Sequence, residues 1–137
     1  MPIDLDLLQS RLSMFTGIEH FAIASPNPKQ LAEWYVENLD FRINYEYDGN
    51  YFVKAGNGVV IEIIRSEGEP GPNAFRTPGM RHIAIAVEDF DQAYLELKGR
   101  GIEFTAEPYW NQKNRLVFFK DPDGNQIHLI HRENPLP

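Results

Sequence analysis

The chain has 137 residues, 42% of them hydrophobic and 12% aromatic; this is enough for one domain with its own core and is unlike a disordered chain. No apolar run approaches the ~18 residues of a membrane helix, and without cysteine neither a disulfide nor a thiolate metal site can form. The net charge of -7 argues against nucleic acid or an anionic membrane surface as partner, because both need basic patches; a small-molecule ligand remains open.

Met1-Pro2-Ile3-Asp4-Leu5-Asp6 is acidic and lacks the basic start of a secretory signal, so a cytoplasmic setting is the default expectation. Ile3, Leu5, Leu7, Leu8 and Leu12 give residues 3–13 one apolar side and predict a short helix, part of an N-terminal extension over 1–15.

From residue 16 the sequence reads as two copies of one unit, each strand, helix, strand, strand, strand. The first unit spans 16–66. Its first strand, about 17–25, alternates: His20, Ala22 and Ala24 share one face, Phe21 and Ile23 the other. Asn27-Pro28-Lys29-Gln30 opens a helix, with Asn27 as cap, Pro28 at the first helical position and Gln30 able to reach back. Leu31, Trp34, Tyr35 and Leu39 form its apolar face. Strands near 41–47 and 51–55 are joined by the tight-turn signal Asp48-Gly49-Asn50. Gly56-Asn57-Gly58 makes the next turn, and the apolar run Val59-Val60-Ile61-Glu62-Ile63-Ile64 follows.

Residues 67–79, rich in proline and glycine, read as a linker. The second unit, 80–132, repeats the layout. The strand 80–88 carries His82 with Ala84 and Ala86 on its face. Asp89 caps a helix with Gln92 three residues on, and Phe90, Ala93, Tyr94 and Leu97 form its stripe. Strands are predicted near 102–107 and 113–119. Asp121-Pro122-Asp123-Gly124 is a turn, and the last strand, about 125–131, carries His128.

His20 and His82 thus occupy matching places in the two units, and so do Glu62 and His128. A single strand histidine is ordinarily a hydrogen-bonded structural residue, and a glutamate between valine and isoleucine can simply face solvent. Four ionisable groups at repeat-equivalent places, with His20 and His82 sharing a face with small alanines, each need partners if buried. Together they point to one divalent metal held between two sheets. His131 has the opposite parity to His128 and stands near the chain's end, so it is expected to be exposed.

Ile18-Glu19-His20-Phe21-Ala22-Ile23, Val60-Ile61-Glu62-Ile63, Arg81-His82-Ile83-Ala84-Ile85-Ala86-Val87 and Asp121-Pro122-Asp123-Gly124-Asn125-Gln126-Ile127-His128-Leu129 make the chain resemble the vicinal oxygen chelate superfamily. Glyoxalase I, extradiol dioxygenases and bleomycin resistance proteins belong to it. The resemblance covers about residues 16–132 and implies a single glyoxalase-like α+β domain. In it two βαβββ repeats form an open, mixed, barrel-like sheet around a metal site, with the helices outside. It also implies His20, Glu62, His82 and His128 as the metal ligands and a homodimer built by pairing units between chains.

The departures shape the functional expectation. The last ligand position is usually Glu in this family and here is His128. Bacterial glyoxalase I grips glutathione with an Arg and an Asn where this chain has Ala24 and Ser66, and related thiol transferases carry a Tyr where this chain has Phe118. Three imidazoles and one carboxylate suit Zn, Ni, Co or Fe better than Mg or Ca. The expected function is a divalent-metal-dependent enzyme of glyoxalase type: proton transfer, or lyase or isomerase chemistry, on a metal-chelated small oxygenated substrate, not glutathione-linked. Glu62, the only carboxylate of the four, is the candidate base. The alternatives are a non-haem iron dioxygenase and a non-catalytic small-molecule (drug) binding protein of the bleomycin resistance type.

Overall fold

The structure is a computed structural model and describes residues 2–7 and 14–137. The expected helix over 3–13 falls largely on residues 8–13, outside the described ones; residues 5–7 are helical. Beyond it the order is β1 (Phe21–Ser25), α1 (Pro28–Leu39), β2 (Arg42–Tyr47), β3 (Asn50–Lys54), β4 (Val60–Arg65), β5 (His82–Ala86), α2 (Phe90–Gly99), β6 (Tyr109–Asn111), β7 (Asn114–Lys120) and β8 (Gln126–Arg132). Two open four-stranded sheets result, ordered β1-β4-β3-β2 and β5-β8-β7-β6. In each, the first strand runs parallel to the last, and the other pairs are antiparallel.

Local chemistry sets the element ends. Asn27 and Asp89 cap the two helices in the same way: each side chain accepts from the backbone N–H three residues on, at 3.3 Å from Gln30 and 3.1 Å from Gln92. Gln30 reaches back to the Asn27 side-chain amide at 3.1 Å. Asp48 and Gly49 both take positive φ, 48° and 79°, as a two-residue hairpin turn with the right-handed strand twist requires. Gly124, at φ 87°, turns β7 into β8.

The second unit departs from the expected layout at one place. Residues 102–107 form no strand. Phe104 makes only an isolated bridge to Phe119, and the hairpin partner of β7 is the three-residue β6 beyond Pro108. The turn that sets this register holds Gln112 at φ 56°. It contains no glycine, so its sequence signal is weak, and a prolyl residue at 108 interrupts the preceding run.

Alternation divides each sheet into a packed face and an open face. Val53, Ile61 and Ile63 of the first sheet and Val117, Phe119, Ile127 and Leu129 of the second are buried. They join Leu31, Ala32 and Tyr35 of α1 and Phe90 and Leu97 of α2 in one core that spans both units. The units are also tied by polar bonds. Tyr35, fully buried in α1, donates its hydroxyl to Asp121 Oδ2 at 2.8 Å in the β7–β8 turn. Asp121 is 4% exposed, and all its remaining demand is met locally. Oδ1 accepts from the backbone of Asp123 and Asn125 at 3.0 Å each, and Oδ2 from the Asn125 amide at 2.8 Å. Burial pushes the Asp121 carboxyl above its usual range against the pull of these bonds. Arg100, just past α2, donates to the carbonyls of Asn38 at 2.7 Å and Glu37 at 3.4 Å at the end of α1, where the helix dipole favours a cation.

A hydrogen bond to a charged acceptor contributes about 1.5–3 kcal/mol. Tyr35→Phe is therefore expected to lower the free energy of unfolding by about that amount, leaving secondary structure intact. Urea unfolding followed by circular dichroism checks this; an unchanged midpoint would show that the bond contributes nothing to joining the units.

Candidate metal centre

Strand register builds the first half of the site. Ala22, Glu62, Phe52 and Tyr45 lie in one row across β1, β4, β3 and β2, on the face turned away from the core. His20 stands one residue before β1. Its Nδ1 lies 2.9 Å from Glu19 Oε1. A carboxylate only accepts, so Nδ1 carries a proton, and Nε2 is the nitrogen left to meet a metal. That Nε2 lies 3.5 Å from Glu62 Oε1. Two ligands bound to one tetrahedral ion at about 2.0–2.2 Å are themselves about 3.4 Å apart, so the spacing suits a shared cation. Glu62 Oε2 accepts the Tyr47 hydroxyl at 2.6 Å, a bond that raises the phenol above its ordinary value.

The second half has the same plan. Ala84, His128 and Phe118 form the corresponding row across β5, β8 and β7. The rings of His82 and His128 have centroids 4.7 Å apart. His128 is buried, at 4% exposure, and its Nδ1 lies 3.2 Å from the Leu129 carbonyl. The carbonyl fixes the proton on Nδ1 and leaves Nε2 as the free donor. Burial is the main cause that lowers the His128 pKa, holding the ring neutral, the form that binds metals. His131, expected to be exposed, is half-buried instead, with Nδ1 3.0 Å from the Val87 carbonyl.

The four residues come together as two pairs, His20 with Glu62 and His82 with His128. Among the described residues no group of three His, Asp or Glu side chains gathers at one point. An open cleft of about 740 Å³ lies between β1 and the start of β5, but of the four it is lined only by His82. Imidazole and carboxylate donors of this kind suit a divalent ion of the zinc, nickel, cobalt or iron type, and the spacing of His20 and Glu62 fits one; the rings of His82 and His128 lie side by side.

Three neighbours of the pairs escape a search for metal ligands alone. Glu19 orients His20, and Tyr47 holds Glu62. Phe52 lies across from Glu62 as Phe118 lies across from His128. The signal for the last was present, since the two phenylalanines have the same spacing as Glu62 and His128. Tyr47 has no counterpart in the second unit and could not be found by the repeat.

No helix among the described residues is long and apolar enough to cross a membrane. The chain is 28% identical to a solved glyoxalase family protein from Enterococcus faecalis, covering 86% of this chain and 99% of that one, with a TM-score of 0.72. It is 29% identical over 129 residues to the uncharacterized protein YwkD of Bacillus subtilis (strain 168), covering 87% of this chain and 99% of YwkD. It is 26% identical over 119 residues to Biphenyl-2,3-diol 1,2-dioxygenase 3 of Rhodococcus globerulus, which covers 82% of this chain but only 61% of that enzyme's length. The model of the Glyoxalase/Bleomycin resistance protein/Dioxygenase superfamily matches residues 17–129, and with two open βαβββ sheets on the same plan the chain belongs to that superfamily.

Proposed function

We propose that this protein is a divalent-metal-dependent enzyme that moves a proton on a small oxygenated substrate, by lyase or isomerase chemistry. The observation that carries the reading is the pair of repeat-equivalent donor sets, His20 with Glu62 and His82 with His128, each preorganised on an open sheet face. A divalent ion bound there would polarise a carbonyl or vicinal oxygens of a chelated substrate. Glu62 takes the proton from the carbon beside that carbonyl and returns it to the neighbouring carbon. Its Oε1, which faces His20 Nε2, would leave the metal to do this, because Oε2 is engaged by Tyr47.

The two half-sites are completed between two copies of the chain, His20 and Glu62 of one meeting His82 and His128 of the other. Two observations support this. The pairs do not meet within one chain among the described residues, and β2 with its Tyr45 leaves exposed sheet surface beside the first pair. A second reading, a non-haem iron dioxygenase, is favoured by the likeness to the biphenyl-diol dioxygenase; oxygen uptake with Fe(II) and a catechol separates the two.

His20→Ala and His82→Ala are expected to lower bound transition metal steeply, and His131→Ala to leave it unchanged, by elemental analysis of protein purified without added metal. Equal loss in all three would sink the assignment. For the shared site, a chain carrying His20→Ala and Glu62→Ala is mixed with one carrying His82→Ala and His128→Ala. Neither binds metal alone, and random exchange of subunits restores roughly a quarter of wild-type capacity, one site in each hetero-dimer. No recovery on mixing, with dimers present by sedimentation, rules the shared site out. Because Ala24 and Ser66 provide no charged grip, turnover of the methylglyoxal–glutathione hemithioacetal should be weak; efficient turnover contradicts a substrate without glutathione.

A further inference from the structure

We infer that Arg42 and Lys54 bind an oxyanion, a carboxylate or a phosphate, at the far end of the molecule held by His20 and Glu62; the inference rests on the metal-centre reading above. The two cations lie directly opposite each other across β2 and β3. Register puts them on the open face. Val53, beside Lys54, points into the core, so Lys54 points the other way, as Phe52 and Glu62 do. The row Val60, Lys54, Arg42 is thus the neighbour of the row Glu62, Phe52, Tyr45. Lys54 is a diagonal neighbour of Glu62, and such residues lie roughly 7–8 Å apart. A molecule bound at Glu62 needs only a short chain to reach Lys54.

Opposed like charges destabilise a sheet, and this chain keeps a pair of cations opposed although its acids outnumber its bases by 20 to 13. Neither cation forms an ion pair among the described residues. Lys54 is half-buried, which makes a missing counter-charge more costly. The nearby carboxylates are engaged elsewhere: Glu62 by Tyr47 and His20, and Asp40 by Arg100 at 3.4 Å. The charged strand residues of this face are Arg42, Lys54 and Glu62, so the face is locally positive in a chain of net charge -7. Exposed charges are screened beyond roughly 8–10 Å at ordinary salt, so an arriving anion meets the local pair and not the net charge. The pair opens on a hollow of about 150 Å³ lined also by Asp40, Ala55, Gly56 and Gly58. Arginine brings a planar fork and lysine a mobile point charge, and both make charge-assisted hydrogen bonds to an oxyanion. In the second unit Lys120 stands where Lys54 does in the first, two residues after the phenylalanine of its row. There it is paired with Gln126, and β6 carries no cation. The subsite therefore belongs to the first unit and gives the bound molecule a direction.

The experiment measures, by calorimetry, binding of 2-oxoglutarate and 2-oxopentanoate to the full chain, as purified and after chelator treatment, with metal content determined for every sample. The two present the same adjacent oxygens and differ in a terminal carboxylate against a terminal methyl group. A third probe, 2-oxo-4-phosphonobutanoate, puts a phosphonate at that end and tells the two oxyanions apart. At least one anion-tailed probe is expected to bind the as-purified protein at least about tenfold more tightly than 2-oxopentanoate. Arg42→Gln and Lys54→Gln are each expected to cut that preference to about threefold or less with metal content unchanged, and Lys120→Gln to leave it intact. The first two variants are expected to unfold at no lower urea concentration than wild type, since an opposed like-charge pair is lost, so a fall in preference is not a loss of fold. Absence of any preference in wild type, binding of none of the probes included, overturns the inference. A preference that survives both Arg42→Gln and Lys54→Gln does the same, and so does one lost equally in Lys120→Gln, which would assign it to overall charge. A preference that depends on Arg42 in protein without metal keeps the subsite and removes the metal reading; metal bound without preference does the reverse.

Discussion

Each strand of these sheets can place its side chains on only two faces, and one of those faces is fixed by the helices. Ile61, Ile63 and Val53 in the first unit, and Ile127, Leu129 and Val117 in the second, must reach the core. A slip of one residue would move the whole set into water. With the large aliphatics committed, His20, Glu62 and His128 have nowhere to go but the open face. The hydrophobic effect therefore positions the polar site, although no polar group contributes to the burial that does it.

The joint between the units does a different job. The core alone would tolerate sliding of one apolar surface on another, since apolar contact is not directional. The Tyr35 hydroxyl on Asp121, and Arg100 on the last carbonyls of α1, are directional. Asp121 also makes the β7–β8 turn, so the residue that fixes the second unit's last hairpin also fixes its place against the first. That turn leads directly into β8 and His128. The geometry of the second donor pair and the geometry of the joint share one carboxylate.

The donor set has its own electrostatic logic. Three imidazoles and one carboxylate, if they share the proposed ion, would leave it with a formal charge of +1, where two carboxylates would leave none, and would favour an anionic or readily ionised oxygen ligand. Burial keeps His128 neutral, whereas His20 is oriented by the exposed carboxylate of Glu19. Both histidines thus set Nδ1 against an acceptor, a side-chain carboxylate in the first unit and a backbone carbonyl in the second.

Periodicity and capping chemistry were legible in the sequence because they are local. The alternation that puts His20 and His82 beside alanines, the Asn27 and Asp89 caps, the Asp48-Gly49 turn and the order of the two units depend on residues close in the chain. The pairing of His20 with Glu62 follows from the β1–β4 parallel pairing, which no local pattern gives. Other features needed the folded chain. The hairpin at β6 turned on Gln112, a residue with no turn preference strong enough to announce itself. His131 found a carbonyl in Val87, far from it in sequence. Tyr35 met Asp121, and Tyr47 met Glu62, through contacts between elements that no local pattern encodes. The sequence by itself determined which residues share a face, since side-chain parity is a property of each strand alone. Only the tertiary structure decided which faces meet, because that depends on how two sheets and two helices share one core, and it brought the donors together as two pairs.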